Sequence, residues 1–120
     1  VKAIEEITGK KVTLFRPPFG DYNDRLITVA EKLGLNTVQW SVDSLDWKNL
    51  SAEEIATRVI KKAKSGSIIL MHNNGLHTLE SLPLIFAATQ QKGLVYRPIG
   101  ELIYTDDYKI LPDGTQIKTN

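Results

Sequence analysis

Apolar positions change their spacing several times along the chain, and each change predicts an element. Val1, Ile4 and Ile7 recur at helical intervals, and Gly9 supplies a stop. The pattern reads as the end of a helix already under way, so the chain is expected to begin inside a larger domain. Val12 to Phe15 predicts a buried strand. Pro17, Pro18 and Gly20 mark a loop, PPFGDYN, where regular structure should fail. Asn23 or Asp24 can cap a helix running to Lys32, with Leu26, Ile27, Ala30 and Leu33 on its apolar side and Gly34 beyond its end. Asn36 to Val42 predicts a second strand. Ser51-Ala52-Glu53-Glu54 is a capping-box pattern opening a helix with Ile55, Val59 and Ala63 facing inward, ending near Ser65-Gly66. Ser67 to Met71 is a continuous apolar run, as expected of a buried parallel strand. Thr78 to Gln91 predicts a helix that Pro83 kinks or shortens, with Gly93 at its end. Leu94 to Tyr96 predicts a fourth strand and Ile99 to Tyr104 a helical turn. From Thr105 the tail carries Pro112-Asp113-Gly114, a turn signal for a small hairpin or a loose end.

Helix and strand thus alternate through the chain, which argues for an α/β fold with parallel strands and helical crossovers. A doubly wound sheet and a piece of a (β/α) barrel both fit that order. A complete eight-stranded barrel needs roughly 200 residues or more, so on the barrel reading these 120 residues are a fragment. No linker or repeat divides them.

Composition narrows the field only a little. The chain is 42% hydrophobic and 24% charged, within the range of globular domains. Its net charge of +1 gives no electrostatic case for nucleic acid. Lys61, Lys62 and Lys64 are read as the last turn of a helix, where cations complement the dipole. The absence of cysteine excludes disulfides and thiolate metal sites. No apolar run approaches the ~20 residues of a membrane span, and Val1 to Lys11 lacks the pattern of a signal peptide.

Chemistry gathers where the apolar runs end. Arg16 closes the first, Asp43 and Asp46 follow the second, and His72 ends the third. Ligands in α/β folds sit outside the carboxyl ends of the strands, so these residues point to one site assembled from distant segments. Arg16, held by a stiff Pro17-Pro18 loop, can fork onto a carboxylate, or serve as a surface ion-pair partner. Asp43 or Asp46 can orient a histidine and stabilise its imidazolium, or simply cap a loop. Trp47 is a core residue or a substrate wall. His72 and His77 form a His-x4-His pair, a spacing that could suggest a metal, but Asn73-Asn74-Gly75 offers no helical face to align them.

Taken in order, Arg16-Pro17-Pro18-Phe19-Gly20, Asp43-Ser44-Leu45-Asp46-Trp47 and Leu70-Met71-His72 resemble three motifs of the polysaccharide deacetylases of the NodB-homology type, carbohydrate esterase family 4. Those motifs are R-x-P-[FY]-G, D-x-x-D-W and L-x-H, the third to fifth of the family. The stretch from Ile68 to Pro83 resembles the sporulation-associated peptidoglycan deacetylases of Gram-positive bacteria. The resemblance implies the C-terminal portion of a deformed (β/α) barrel over residues 1–104, with 105–120 as a tail. It implies removal of acetyl groups from chitin-like or peptidoglycan sugars, or from xylan, with a divalent metal, usually zinc, activating water. His72 would protonate the leaving amine, with Asp46 hydrogen-bonded to it. Arg16 would orient the catalytic-base carboxylate, the Phe19 N–H would stabilise the oxyanion, and Trp47 and Leu70 would wall the acetyl pocket.

The family's first two motifs supply the base, a ligand aspartate and two ligand histidines, and this chain contains neither. Asp106-Asp107 lies at the wrong end to substitute, and His72 and His77 follow the fifth motif. No metal ligand is therefore assigned here, and the chain alone is expected neither to hold zinc tightly nor to hydrolyse acetamides. The alternative is a catalytically degenerate glycan-binding domain of the same fold. An unrelated doubly wound protein is disfavoured because no G-x-G-x-x-G or P-loop follows a strand. The expected partners are an acetylated polysaccharide and either the missing N-terminal half or a second copy. The expected location, by resemblance, is extracytoplasmic, in the cell wall or spore envelope.

Overall fold

A computed structural model of the protein describes residues 1–119. In chain order the elements are α1 (Lys2–Thr8), β1 (Leu14–Phe15), α2 (Asp24–Lys32), β2 (Asn36–Thr37), β3 (Val42–Asp43), α3 (Ala52–Lys62), β4 (Ile69–Leu70), α4 (Thr78–Gln91), α5 (Ile99–Leu102), β5 (Tyr108–Ile110) and β6 (Gln116–Lys118). The chain divides into two units: residues 1–39 with the segment from Ile103 onward, and Trp40–Leu102.

In the first unit, β1 and β2 pair in parallel, Leu14 opposite Asn36, with α2 as the crossover. α2 starts where Asn23 Oδ1 accepts the Leu26 N–H at 2.9 Å. That side chain takes up one of the amide groups that every helix start leaves without a partner. After α2 the chain turns at Gly34, whose φ of +73° suits glycine. The turn sends Leu35 inward, and Leu33, expected on the apolar side, is 61% exposed. α1 ends at Gly9 as expected, but it has no buried residue. The C-terminal segment forms an antiparallel hairpin of β5 and β6 about Pro112-Asp113-Gly114.

In the second unit, β3 and β4 pair in parallel, Val42 opposite Ile69, with α3 as the crossover. The capping box of α3 is complete: Ser51 Oγ accepts the Glu54 N–H, and Glu54 accepts the Ser51 N–H at 2.8 Å. α3 packs along α4, and Val42, Ile55, Ala56, Val59 and Ile85 form the core between the helices and β3. Lys92, just after α4, donates its ammonium to the carbonyls of Ile60 and Ala63 near the end of α3. α4 runs unbroken through Pro83, whose missing N–H would have met the carbonyl of Leu79. Leu79 is an exposed residue, where water can take that carbonyl.

The α/β class with parallel strands and helical crossovers holds, but the strands are shorter than expected. The single strand expected from Asn36 to Val42 is two strands in two sheets. Between them Ser41 Oγ accepts the Ile68 N–H at 3.1 Å, so a side chain occupies a backbone donor there. Ser67 to Met71 is half-buried rather than buried. Leu94 to Tyr96 is not a strand, because it folds back on α4. The Leu94 N–H is taken by the Thr89 carbonyl at 3.0 Å, and Tyr96 packs edge-on against Phe86 at 5.1 Å. PPFGDYN closes two tight turns, with the Gly20 N–H on the Pro17 carbonyl and the Asp21 N–H on the Pro18 carbonyl, both at 3.1 Å, and Pro18 supplies the fixed φ that the first turn needs at its second position. Among the described residues, no helix is long and apolar enough to cross a membrane.

Candidate active site

β3 and β4 end side by side, Asp43 opposite Leu70, and this register sets the site. Past β3, Asp43 Oδ1 accepts the Leu45 N–H at 3.0 Å, a local turn that aspartate forms readily. Leu45 takes a left-handed φ of +54°, uncommon for a residue with a Cβ. The reversal leads into a 3-10 turn, Asp46–Lys48, and Asp46 is 0% exposed. The Arg58 Nε–H of α3 donates to the Asp43 carbonyl at 2.8 Å and braces the strand end.

Four hydrogen bonds converge on the Asp46 carboxylate. Oδ1 accepts from Ser44 Oγ at 2.9 Å and lies 2.8 Å from His72 Nδ1. Oδ2 accepts from the His72 backbone N–H at 2.8 Å and from Thr78 Oγ1 at 2.7 Å. Burial pushes the Asp46 carboxyl up. The bonds from the His72 backbone, Thr78, the His72 ring and Ser44 outweigh it and hold the group below its usual 3.8. An ionised carboxylate only accepts, so His72 Nδ1 carries a proton and Nε2 is left for exchange with another molecule. The His72 side chain is 33% exposed, which gives that molecule access.

The loop from His72 to α4 comes close to this carboxylate. A Cβ on Gly75 would lie 2.1 Å from Thr78 Oγ1 and 2.9 Å from the Asp46 carbonyl oxygen. Only glycine fits that approach. Trp47 is half-exposed, with Lys48 Nζ 5.1 Å from its ring centroid. Leu70 is half-buried, and its carbonyl accepts the Ser44 N–H at 3.2 Å. His77 is engaged by Glu80 at 2.7 Å.

In the other unit, Arg16 follows β1 and is exposed, while Pro17 behind it is buried. Phe19 has a φ of +56° and a side chain 99% exposed. Gln39 Nε2 donates to the Gly20 carbonyl at 3.0 Å and pins this loop. Asp46, His72, Trp47 and Leu70 are therefore grouped on the ends of β3 and β4. Arg16 and Phe19 share the loop after β1. Ser44, Gly75 and Thr78 were not assigned from sequence. Ser44 sat visibly inside D-x-x-D-W, whereas nothing local marks Thr78. Among the described residues, no group of three or more His, Cys, Asp or Glu could hold a metal ion.

Comparison with known proteins gives a consistent set of likenesses. A family model described as polysaccharide deacetylase matches residues 1–38. The peptidoglycan-N-acetylglucosamine deacetylase PgdA of Listeria monocytogenes is 38% identical over 101 residues, covering 84% of this chain and 21% of the relative. A solved CE4 family pseudoenzyme from Bacillus anthracis is 33% identical with a TM-score of 0.79, over 84% of this chain and 36% of its own. A family 4 carbohydrate esterase from Streptomyces lividans, solved with acetate, is 33% identical with a TM-score of 0.73, over 99% of this chain and 56% of its own. The chain thus spans only part of the length of each of these proteins.

Proposed function

The chain belongs to the polysaccharide deacetylases of the NodB-homology type, carbohydrate esterase family 4, and from that premise we propose that it forms the proton-donating part of a hydrolase acting on an acetylated polysaccharide. The substrate on this reading is an N-acetylated sugar of a cell-wall or chitin-like polymer, met in the cell wall or spore envelope. The observation that carries the reading is the buried Asp46 carboxylate holding His72 through Nδ1.

Cleavage of an acetamide leaves an amine that must gain a proton as the C–N bond breaks. His72, protonated on both nitrogens, would donate from Nε2, and Asp46 would stabilise the imidazolium until then. Arg16 would fork onto the base carboxylate, the Phe19 N–H would meet the developing oxyanion, and Trp47 and Leu70 would flank the acetyl group. The divalent metal of the family polarises the carbonyl and activates water when bound. The described residues offer no three-ligand set for it, so no step here passes through it. On this proposal the ligands and the base belong to the part of the domain outside these residues. The deacetylase portion is 1–104, with 105–120 a tail.

The test joins this chain to the preceding part of a deacetylase domain and measures acetate released from an N-acetylated chitooligomer or peptidoglycan. The joined domain should turn over and the chain alone should not. His72→Ala should lower kcat by about 100-fold or more, as for loss of a general acid. Undiminished turnover by that variant would sink the assignment. A second reading, a glycan-binding domain without catalysis, is favoured by the likeness to a family pseudoenzyme. It predicts oligomer binding by the joined domain with no acetate released.

A further inference from the structure

We infer that Thr78 is a positioning residue for His72: its hydroxyl, seated against the bare Cα of Gly75, fixes the rotation of the Asp46 carboxylate that orients the imidazole. The inference rests on the proposed role of His72 only for its catalytic consequence.

A carboxylate on a short side chain rotates about its last bond with a freedom that shrinks as more donors hold its two oxygens. Oδ1 is held by Ser44 and by the His72 ring it must orient. Oδ2 is held by the His72 amide and by Thr78. Three of the four donors therefore come from the strand ends that also carry the acid and its partner. Thr78 alone anchors the carboxylate to a different element, the first residue of α4. Its own place is fixed in turn. Its carbonyl accepts the hydroxyl of the fully buried Ser81 at 2.7 Å, and branching at Cβ restricts its rotamer. Gly75 leaves no atom where the hydroxyl must sit. The start of the 14-residue α4 adds its partial positive charge beside the carboxylate. With that anchor removed, Oδ2 keeps one donor, and the carboxylate gains freedom to turn away from Nδ1.

The test reads the His72 ring itself, in the full 120-residue chain, by ¹⁵N NMR at alkaline pH. The wild type should show a protonated Nδ1 and a bare Nε2. Thr78→Val keeps the shape and removes the hydroxyl. It should weaken that tautomer preference about tenfold, moving the two ring shifts toward each other, and Thr78→Ser should restore it. Thr78→Ala, which removes the hydroxyl without adding an atom, should mimic Thr78→Val and carries the test if the valine variant does not fold. A folded Thr78→Val or Thr78→Ala protein with wild-type ring shifts would overturn the inference. Because no turnover enters this readout, a failure of the deacetylase reading would leave it standing.

Discussion

The two units of this chain hold themselves together differently. The unit from Trp40 to Leu102 has a core in which Ile55 and Val59 are wholly buried, and its polar interior is satisfied around Asp46. The unit built from residues 1–39 and the C-terminal hairpin has an opening helix that buries nothing. Its buried apolar side chains are Pro17, Ala30, Leu35 and Val38. The lesson concerns the candidate site. The histidine–aspartate pair stands on well-packed strand ends. Arg16 and Phe19 stand on an exposed loop that its prolines stiffen and Gln39 pins. The more tightly fixed geometry is the one that packing enforces.

The sharpest way to break this comparison is to truncate one side chain in each unit. Ile55→Ala should destabilise the second unit by about 3 kcal/mol, from lost burial and an incompletely closed cavity. Ile7→Ala, on an 85% exposed residue, should change stability by less than about 0.5 kcal/mol. Urea unfolding of both variants checks this, and equal effects would mean the units are not so different.

A somewhat smaller effect is expected from charge. The folded state holds the Asp46 carboxyl below its usual 3.8, so the unfolded chain binds that proton more readily. The stabilisation is complete above the ordinary value and is lost as pH falls through the folded one. Asp46→Asn should cost about 2–3 kcal/mol at neutral pH, because an amide cannot accept all four donors. It should also flatten the loss of stability below about pH 4. Acid titrations of wild type and variant that run parallel would count against Asp46 as the source.

The smallest effect tests the helix start. Ser51→Ala removes one half of the capping box and should cost about 1 kcal/mol. Thermal unfolding that does not shift would mean the packing of α3 against α4 supersedes its cap.

How much of this was legible beforehand follows from how local each cause is. α2, α3 and α4 were readable because Asn23, Ser51 with Glu54, and the glycines at 34 and 93 act within a few residues of themselves. The strand limits were not. Where β2 stops and β3 begins depends on Ser41 meeting Ile68, 27 residues away. Leu94 to Tyr96 has the composition of a strand, yet Thr89 and Phe86 claim it. In the candidate site, His72 stood out because it ends an apolar run, whereas Asp43 and Asp46 both follow one, and only the resemblance of Asp43-Ser44-Leu45-Asp46-Trp47 to the family motif favoured Asp46. Thr78 reads as an ordinary helix start, and its bond to a carboxylate 32 positions earlier exists only once the chain has folded.

One detail of that carboxylate reaches beyond chemistry. The backbone amide of His72 is bonded not to a neighbouring strand but to Asp46 Oδ2. In heavy water its hydrogen can be replaced only when the side chain lets go. That single amide is therefore a clock for the site. It counts every release of the aspartate's hold, whether the side chain turns away or the strand ends that carry the pair come apart.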